Sequence, residues 1–377
     1  MPRTSDADNA HSEGLFIGLI SGTSADAIDA ALVRITAQGC QMIAQHTPPY
    51  NDALHDAVVA LCNPGADEIT RLGALDQQLG HDFADTALTL IEQAGFSPGD
   101  ITAIGSHGQT VRHMPELACT LQIGNADVIA TRTGITTISD FRSRDMALGG
   151  QGAPLVPRFH QACLSRPGIR RAILNLGGIA NVTLLEGETL IGGFDTGPAS
   201  VLMDYWCRKH TGERFDRDGA WARRGQVIPA LLAQCMRTPY LALPAPKSTG
   251  RELFNGPWLE AQLSECPAAA AAAPEDIQAT LLQLTARTVA DALKAFAPGE
   301  VLVCGGGAAN GGLMAALAAE MPASQVSTTS DHGVPADMVE ACAFAWLAWA
   351  HLNGVPGNAP QVTGASRDAV LGALHPA

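Results

Sequence analysis

The predicted elements of this sequence occur in the same order twice, and that duplication restricts the fold more than any single motif does. Residues 15–50 indicate three strands with a turn of small residues between the first two, and an amphipathic helix follows at 51–62. Residues 171–212 repeat this order, with "NLGGIAN" in the place of "LISGTSADA". A buried strand, a glycine-rich turn and a helix follow at 300–321. Two β-β-β-α halves predict a duplicated α/β fold with two domains.

This layout resembles that of the actin/hexokinase/Hsp70-like ATPases and sugar kinases, whose two α/β domains surround a central nucleotide cleft. There the two small-residue turns face each other, and the late glycine turn backs the adenosine. Residues 1–14 are polar and are expected to form a flexible N-terminal tail. The Gly/Pro-rich stretch 147–157 is the best candidate boundary. We expect a first domain of residues 15–146 plus 337–377, and a second of residues 158–333.

Composition excludes several classes of protein. The 377-residue chain is 46% hydrophobic and 16% charged, which is typical of a globular protein. Its formal net charge of −14 argues against general binding to nucleic acid or to an anionic membrane. The apolar run 341–350 is too short to span a bilayer and is expected to form a buried helix. The nine cysteines include no C-x-x-C pair, so neither a zinc site nor a disulfide framework is indicated, and a cytoplasmic protein is expected.

The stretch "LFIGLISGTSADAIDAALVRI" (15–35) places three small residues between two apolar strands, followed closely by Asp26 and Asp29. One interpretation is an ordinary β-hairpin, since Ser and Gly are common turn residues. The other is a phosphate-binding loop, in which backbone N–H groups and hydroxyls hold a phosphate while a carboxylate holds its metal ion. The segment alone leaves both interpretations open.

The other glycine-rich stretches match no familiar nucleotide-binding or hydrolase motif. "CGGGAANGG" fails G-x-G-x-x-G because, counted from Gly305, Asn310 occupies the position of the third glycine. No stretch matches G-x-x-x-x-G-K-[ST], and neither "GSHGQT" nor "SGTS" is a G-x-S-x-G elbow. A Rossmann dehydrogenase, a P-loop enzyme and a serine hydrolase are therefore disfavoured. His107 is interpreted as a loop or core histidine rather than a catalytic one.

Asp195 is the candidate catalytic carboxylate. It ends the predicted strand "LIGGFDTGP" and is flanked by glycine and proline residues, which make the loop stiff and narrow. A carboxylate held at a strand end can orient a water molecule or a hydroxyl and accept its proton. The alternative is that Asp195 caps the helix that begins at Ala199. This segment alone does not decide between the two.

Ten stretches in a fixed order carry a closer resemblance. They are "GLISGTSADAIDAAL", "IGSHGQTVRH", "LQIGNADVIA", "DFRSRDMALGGQGAPLVP", "LNLGGIANVTLL", "GFDTGPASVLMD", "DRDGAWA", "PKSTGRELFN", "VLVCGGGAANGGLM" and "EACAFAWLA". With these stretches the chain resembles the bacterial anhydro-N-acetylmuramic acid kinases, members of the same superfamily. The resemblance extends from about Phe16 to the C terminus.

The resemblance implies roles for individual residues. It makes Asp195 the catalytic base and places Thr110, Arg144 and, more weakly, Glu340 on the substrate side. It implies that Mg²⁺ is held at Asp26, partly through water. The implied ATP-binding residues are Gly22, Thr23, Ser24, Ala25, Asp26, Ala27, Ile28, Asp29, Gly177, Gly178, Asn181, Gly305, Gly306 and Gly307.

The resemblance also implies the reaction. Water opens the 1,6-anhydro ring of anhydro-N-acetylmuramic acid, O6 takes the γ-phosphoryl group of ATP, and ATP and Mg²⁺ are required. Because phosphorus captures O6, one base suffices where glycosidases need two carboxyl groups. A homodimer acting in peptidoglycan recycling is implied as well. Two alternatives remain: a kinase of the same fold that acts on a free sugar hydroxyl, and an actin/Hsp70-like ATPase without a sugar substrate.

The chain departs from the family pattern at four positions. Ala25 and Ala27 stand where the family usually has Leu and Gly, and Ala199 and Ser200 stand where it usually has Gly and Asn. Ala27 requires a backbone without positive φ, so a small change in the loop geometry is expected. The acidic residues and Asp195 are intact, and we expect the activity to be retained.

Overall fold

The computed structural model describes residues 13–22, 24–36, 39–250 and 252–377, so residues 1–12 of the predicted tail lie outside the described residues. The strands are β1 (Gly14–Ser21), β2 (Asp29–Thr36), β3 (Gly39–His46), β4 (Ala103–Met114), β5 (Cys119–Ile123), β6 (Thr137–Ser139), β7 (Arg170–Leu176), β8 (Ile179–Glu186), β9 (Thr189–Pro198), β10 (Glu300–Cys304), β11 (Gln325–Thr328) and β12 (Ala373–His375). The helices are α1 (Asp52–Leu61), α2 (Glu68–Gln93), α3 (Ala126–Thr133), α4 (Ser143–Ala147), α5 (Val156–Leu164), α6 (Ser200–Thr211), α7 (Pro229–Cys235), α8 (Gly256–Ser264), α9 (Pro274–Leu293), α10 (Gly311–Glu320), α11 (Val339–Leu352) and α12 (Pro360–Thr363). Short 3₁₀ helices lie at Pro98–Asp100, Pro115–Leu117, Arg217–Gly219, Ala222–Arg224, Pro239–Ala242, Gly306–Ala309 and Thr329–His332.

Two sheets with the same core strand order organise two compact units. The first unit runs to Phe159 and resumes at Glu340, and the second comprises His160–Val339. The first sheet has the order β12-β6-β4-β1-β2-β3, with β5 paired to β4, and the second has the order β11-β10-β7-β8-β9. In both sheets the first three strands are antiparallel neighbours, and the next two core strands run parallel to the first. This repeated order confirms the predicted duplicated α/β fold.

The core of the first unit lies where α2 covers the sheet. Apolar side chains of α2 recur about every four residues, and the helix therefore presents one continuous apolar face. The fully buried members of that face are Leu79, Phe83, Ala87 and Leu90, and they join Ile17, Leu19, Ala30 and Leu32 of β1 and β2 in one cluster. Alternate residues of the strands thus bind the sheet to the helix.

The predicted buried helix in "ACAFAWLAWA" is confirmed as α11, which lies against β1 and β4. A Cβ on Gly18 would come within 1.8 Å of the Ala341 carbonyl oxygen, and one on Gly105 within 2.0 Å of the Phe344 carbonyl oxygen. Both glycines therefore permit the helix backbone to touch the strands directly. This contact attaches the C-terminal helix to the first unit.

The second unit has its own core, built around α9. Ile277, Leu281 and Leu284 of that helix belong to one buried cluster with Leu174 of β7 and Val182 of β8. Pro274 stands at the start of α9, and Glu275 and Asp276 follow in its first turn, as helix N-termini favour. The sequence "PEDIQATLLQLTARTVADALKAF" predicts a long helix that begins at Pro274, and α9 confirms this start.

One local sequence pattern in the first sheet is misleading. By itself "ITAIGSHGQTVRH" predicts a short buried strand that ends in a polar glycine loop, and this prediction is wrong, because β4 continues through the glycine and pairs with β5. Gly108 has φ +74° and lies beside a register shift between Leu19 and Ile20 of β1. The glycine therefore supplies a β-bulge within the strand instead of ending it. As a result Gln109 and Thr110 belong to the sheet.

Seven cysteines are free thiols, and five of these are buried. Cys40 and Cys163 each take part in a disulfide bond, which the spacing of the cysteines did not indicate. Among the described residues, every helix is too short or too polar to traverse a bilayer.

Candidate active site

The connection between β1 and β2 contains the predicted phosphate loop, in which Thr23 lies outside the described residues. The Gly22 carbonyl accepts the Ala25 N–H at 3.1 Å and Gln109 Nε2 at 3.3 Å. A Cβ on Gly22 would meet no atom within 4 Å, so the backbone is open to space on that side. The buried Ser21 hydroxyl donates to Gln109 Oε1 at 2.6 Å. The first turn after β1 is therefore fixed to β4 while Gly22 remains accessible.

The two strands form an antiparallel hairpin, and its connection carries the acidic residues. Asp26 is exposed, and its Oδ1 accepts the Ser24 hydroxyl at 2.7 Å. Ile28 is 2% exposed and belongs to the core, so it anchors the connection rather than facing a ligand. Asp29 is the first residue of β2. The hairpin and phosphate-loop interpretations are thus compatible, because one turn has both an open glycine and an exposed carboxylate.

Ala25 and Ala27 are two of the positions at which the chain departs from the family pattern, and the backbone has a positive φ at Ala25 but not at Ala27. Ala25 has φ +52° and is 1% exposed, and Ala27 forms an isolated bridge with Pro49. A left-handed backbone costs a residue with a Cβ about 1–2 kcal/mol. The loop therefore retains local strain at a buried alanine.

A polar cluster lies beside β4 in the first unit. Arg142 donates from Nε and Nη2 to His107 Nε2 at 3.1 and 2.9 Å, and from Nη1 to the Gly152 carbonyl at 2.7 Å. His107 Nδ1 lies 2.9 Å from the Gly108 carbonyl. Burial, and then the charge of Arg142, lower the pKa of His107 to about 3. His107 is therefore neutral, and it orients the guanidinium as an acceptor, consistent with its interpretation as a core histidine.

Glu340, in the first turn of α11, completes this polar cluster. Part of the Glu340 residue is exposed to solvent. Desolvation of its carboxyl group by the surrounding protein disfavours the charged form and raises the pKa of Glu340. Arg142 opposes that shift and Asp29 adds to it. Burial lowers the pKa of Arg142, and Glu340 raises it. The charge of each of these two side chains therefore favours the charged form of the other.

The two other predicted substrate residues occupy different positions. Thr110 lies on β4, where its hydroxyl accepts Gln122 Nε2 of β5 at 3.1 Å. Arg144 is exposed on α4, two residues after Arg142. Sequence reasoning missed Arg142, although both arginines lie in "DFRSRD". No local sequence signal distinguishes the two arginines; Arg142 follows Phe141, which only the fold shows to be buried.

Asp195 is half-buried near the end of β9, and its carboxylate is fixed by a segment 53 residues later in the chain. Oδ2 accepts the Ser248 hydroxyl at 3.0 Å and the Thr249 N–H at 2.9 Å. Burial raises the pKa of Asp195, the bonds from Thr249 and Ser248 lower it, and Glu252 raises it again. The net direction is upward, which suits a carboxylate that must accept a proton.

The alternative role of Asp195 as a helix cap is wrong. The N-cap of α6 is Ala199, whose side chain makes no capping hydrogen bond. Its first N–H groups bond to backbone: Ala199 and Val201 donate to the Gly178 carbonyl and Ser200 donates to the Gly177 carbonyl, at 3.0–3.1 Å. The turn between β7 and β8 therefore satisfies the helix N-terminus, and the carboxylate of Asp195 is not used there.

Three polar residues lie in one row across the second sheet. Asn175 of β7 pairs with Asn181 of β8, and Asn181 pairs with Asp195 of β9. Residues directly opposite each other on antiparallel strands face the same side, about 5 Å apart at Cβ. Each of the three is only partly buried, although most neighbours in these strands are buried. The sheet therefore brings predicted Asn181 beside Asp195, together with Asn175, which sequence reasoning missed.

This row depends on a bulge in β9. Ala180 pairs with Gly197, but the next residue, Asn181, pairs with Asp195. Thr196 is the extra residue, and its hydroxyl donates to the Ala180 carbonyl at 3.3 Å. The bulge thus aims the carboxylate at the row of asparagines.

The late glycine turn lies next to the turn between β7 and β8. Gly305 has φ +79°, and a Cβ there would come within 2.3 Å of Asn175 Oδ1. A Cβ on Gly307 would come within 2.6 Å of Leu176 Cβ, whereas one on Gly306 would meet nothing within 4 Å. Gly305 and Gly307 are thus required by packing, and Gly306 is open to a ligand. The predicted nucleotide residues Gly177, Gly178 and Gly305–Gly307 therefore lie in one region of the second unit.

No group of three or more His, Cys, Asp or Glu side chains that could hold a metal ion occurs in the part of the chain that the structure describes. The exposed carboxylate of Asp26 is nevertheless suited to Mg²⁺, which usually binds one or two carboxylates, retains several waters and takes its other ligands from substrate phosphates. The residues present therefore fit a magnesium ion bound largely through phosphate and water.

Comparison with known proteins gives consistent matches. A family model described as anhydro-N-acetylmuramic acid kinase matches residues 14–377. The protein of that name from Shewanella halifaxensis is 52% identical over 366 residues, which cover 96% of this chain and 98% of the relative. That from Bordetella petrii is 54% identical over 367 residues, 96% of each chain. Among solved structures, the activator of the 2-hydroxyisocaproyl-CoA dehydratase from Clostridium difficile with bound ADPNP has a TM-score of 0.46 and 15% identity, and the match covers 89% of this chain and 94% of that chain.

Proposed function

The chain belongs to the anhydro-N-acetylmuramic acid kinase family, and we propose that it opens 1,6-anhydro-N-acetylmuramic acid with water and phosphorylates O6 at the expense of ATP. The products are N-acetylmuramic acid 6-phosphate and ADP, and the reaction serves the recycling of peptidoglycan amino sugars. The observation that carries this proposal within the molecule is the Asp195 carboxylate, held at a strand end by two donors and unused by the neighbouring helix.

Asp195 acts as the general base. It accepts a proton from the water molecule whose oxygen attacks C1 of the sugar, and the C1–O6 bond breaks. O6 forms a bond with the γ-phosphorus of ATP, the bond to the bridging oxygen breaks, and ADP leaves. Because the phosphoryl group takes the place of a proton on O6, no second carboxylic acid is needed. Burial of Asp195 supports this role, since its raised pKa makes it a stronger base.

The connection 22–29 binds the phosphates of ATP. The open backbone at Gly22 gives a phosphate access to the chain, and Asp26, whose Oδ1 accepts the Ser24 hydroxyl, offers a carboxylate to Mg²⁺. When bound, Mg²⁺ neutralises charge on the phosphates. The glycine turns at 177–178 and 305–307, with Asn181, contribute the remaining nucleotide contacts, and the open position at Gly306 supports this.

Thr110, Arg144 and Glu340 of the first unit bind the sugar. Three of the five N–H donors of Arg142 are engaged by His107 and the Gly152 carbonyl, and the charge of Arg142 favours the ionised form of Glu340. The exposed guanidinium of Arg144 is the one suited to a two-pronged bond with the lactyl carboxylate of the substrate.

We further propose that the protein is a cytoplasmic homodimer, as the family resemblance implies. Light scattering coupled to size-exclusion chromatography measures the oligomeric state. A molar mass equal to that of one 39.1 kDa chain would exclude the homodimer.

A coupled ATPase assay tests the proposed reaction. We expect ADP formation that depends on 1,6-anhydro-N-acetylmuramic acid and Mg²⁺, with 6-phosphorylated sugar formed in equal amount. ATP turnover that ignores the sugar would indicate an actin/Hsp70-like ATPase. Phosphorylation of intact N-acetylmuramic acid, but not of the anhydro form, would indicate a kinase acting on a free hydroxyl.

Asp195→Asn tests the base. The variant retains the shape of the side chain but cannot accept the proton, so kcat should fall by about 10²–10⁴ with little change in ATP or sugar binding. A folded Asp195→Asn protein whose kcat is within a few-fold of the parent would remove Asp195 from the mechanism.

A further inference from the structure

The stretch "PKSTGRELFN" has no role in the proposed reaction, yet three of its first residues, Lys247, Ser248 and Thr249, form hydrogen bonds with Asp195. The Asp195 N–H donates to the Lys247 carbonyl at 3.0 Å. Tyr240, which precedes the stretch, donates from its hydroxyl to the Asp195 carbonyl at 2.8 Å. The Ser248 hydroxyl and the Thr249 N–H donate to Oδ2. Both the backbone and the carboxylate of Asp195 are therefore fixed by residues 240–249.

This segment is itself anchored. Lys247 Nζ donates to the carbonyls of Tyr240 at 3.3 Å and Leu241 at 2.9 Å, and lies 4.9 Å from the centroid of the Tyr240 ring. The Tyr240 ring packs edge-on against Phe254, which is fully buried, with centroids 6.0 Å apart. Lys247 thus closes residues 240–247 on themselves, and aromatic packing attaches them to the core of the second unit.

We propose that Ser248 and Thr249 are positioning residues for the catalytic base: they hold Oδ2 of Asp195 and thereby make Oδ1 the oxygen that accepts the proton. In the described part of the chain, both side-chain bonds of Asp195 end on Oδ2 and none ends on Oδ1. A carboxylate held through one oxygen directs the lone pairs of the other in a fixed direction, which orients an attacking water molecule. This inference rests on the proposed function of Asp195 and adds the residues that determine its geometry.

The two donors also set the affinity of Asp195 for a proton. A hydrogen bond to the charged form of a carboxylate lowers its pKa, so loss of the Ser248 bond should raise the pKa of Asp195. The other ionisable groups that face it among the described residues are Glu252, Tyr240 and Lys247. All three are retained in a Ser248 variant. Because the base must be ionised, the acid limb of the rate profile should move to higher pH.

Ser248→Ala is the test. We expect kcat to fall about ten-fold while KM for ATP and for the anhydro-sugar stays unchanged, since one hydrogen bond to a charged group is lost and no substrate contact is removed. The acid limb of the profile of kcat/KM against pH should move up by about 0.5–1 pH unit. Ser248→Thr retains the hydroxyl and should restore both kcat and the profile.

Ser264→Ala is the matched control, because this exposed serine of the same unit donates to a backbone carbonyl, that of Ala261, at 2.8 Å. It should leave rate and profile unaltered. A purely structural effect of Ser248→Ala would lower the active fraction without moving the acid limb. An acid limb that coincides with that of the parent would therefore overturn the inference.

A second readout does not require turnover. The carboxyl carbon of Asp195 can be followed by NMR in ¹³C-labelled protein and assigned from the resonance that disappears in Asp195→Asn. Its titration midpoint should lie higher in Ser248→Ala than in the parent, and an equal midpoint refutes the positioning role. If the parent shows no sugar-dependent turnover, the proposed function fails, while the NMR titration still decides whether Ser248 controls Asp195.

Discussion

Replacing His160 by glutamine should make the protein less sensitive to acid. His160 lies on α5, is 4% exposed, and its Nδ1 is 2.9 Å from the hydroxyl of Thr183 on β8. Burial lowers the pKa of His160 to about 3, from the ordinary histidine value of 6.5. At pH values between these two pKa values, His160 therefore carries a proton in the unfolded chain but not in the folded protein. Stability is fully present above pH 6.5 and is lost as the pH falls towards 3.

The size of the effect follows from proton linkage. At pH 5 the unfolded state is favoured by RT ln(1 + 10^1.5), about 2 kcal/mol, compared with neutral pH. Because the folded pKa lies well below pH 5, this value depends only on the unfolded pKa of His160. Urea unfolding of the parent and of His160→Gln at pH 7.5 and pH 5.0 measures it, since the other titrating groups are common to both proteins.

We expect the parent to lose about 2 kcal/mol more than His160→Gln over this pH interval. Thr183→Val is the matched control: it removes the hydroxyl but retains the buried imidazole, so its pH dependence should equal that of the parent. Equal acid losses in the parent and in His160→Gln would show that the imidazole is not held neutral by burial, and would refute the reasoning.

Two further predictions concern the first unit. Gly105→Ala should lower the free energy of unfolding in urea by about 3 kcal/mol, because the added Cβ would lie 2.0 Å from the Phe344 carbonyl oxygen. Gly73→Ala, in an open position of α2, is the control and should raise the free energy of unfolding by up to about 1 kcal/mol. Equal effects of the two substitutions would contradict the contact between β4 and α11. Arg144→Lys should raise KM for the anhydro-sugar about ten-fold and leave KM for ATP unchanged, because a two-pronged donor to the sugar is lost. Arg132→Lys on the surface of α3 is the control and should change neither KM. An unchanged sugar KM in Arg144→Lys would remove Arg144 from the site.

Much of the fold follows from local sequence patterns, because the repeated β-β-β-α order, the apolar run 341–350 and Pro274 each indicate elements by themselves. The extent of β4 does not, because Gly108 ends a strand in most local contexts. Here the bulge beside β1 and pairing with β5 carry the strand past it. This pairing with strands distant in sequence overrides the local preference of Gly108 to end the strand, and it cannot be inferred from the residues around Gly108 alone.

The candidate site shows the same division. Asp195 stood out because a carboxylate among Gly and Pro at a strand end is informative, but its two donors lie 53 and 54 residues later in the chain. Local sequence also could not separate Arg142 from Arg144, since only the fold encloses one beside His107 and leaves the other exposed. Tertiary contacts, not residue types, determine which residues bond to Asp195 and which of the two arginines is enclosed.

The extra residue in β9 has a consequence for how this region tolerates change in length. Because Thr196 is unpaired, its deletion alone would leave Asn181 opposite Asp195, whereas deletion of a paired residue such as Phe194 would shift the ladder by one position. Substituting a paired residue alters one side chain, but removing it exchanges the two faces for the part of the strand that precedes it. Insertions and deletions at the paired positions of 189–198 should therefore be far less acceptable than substitutions, even at positions that contact no substrate.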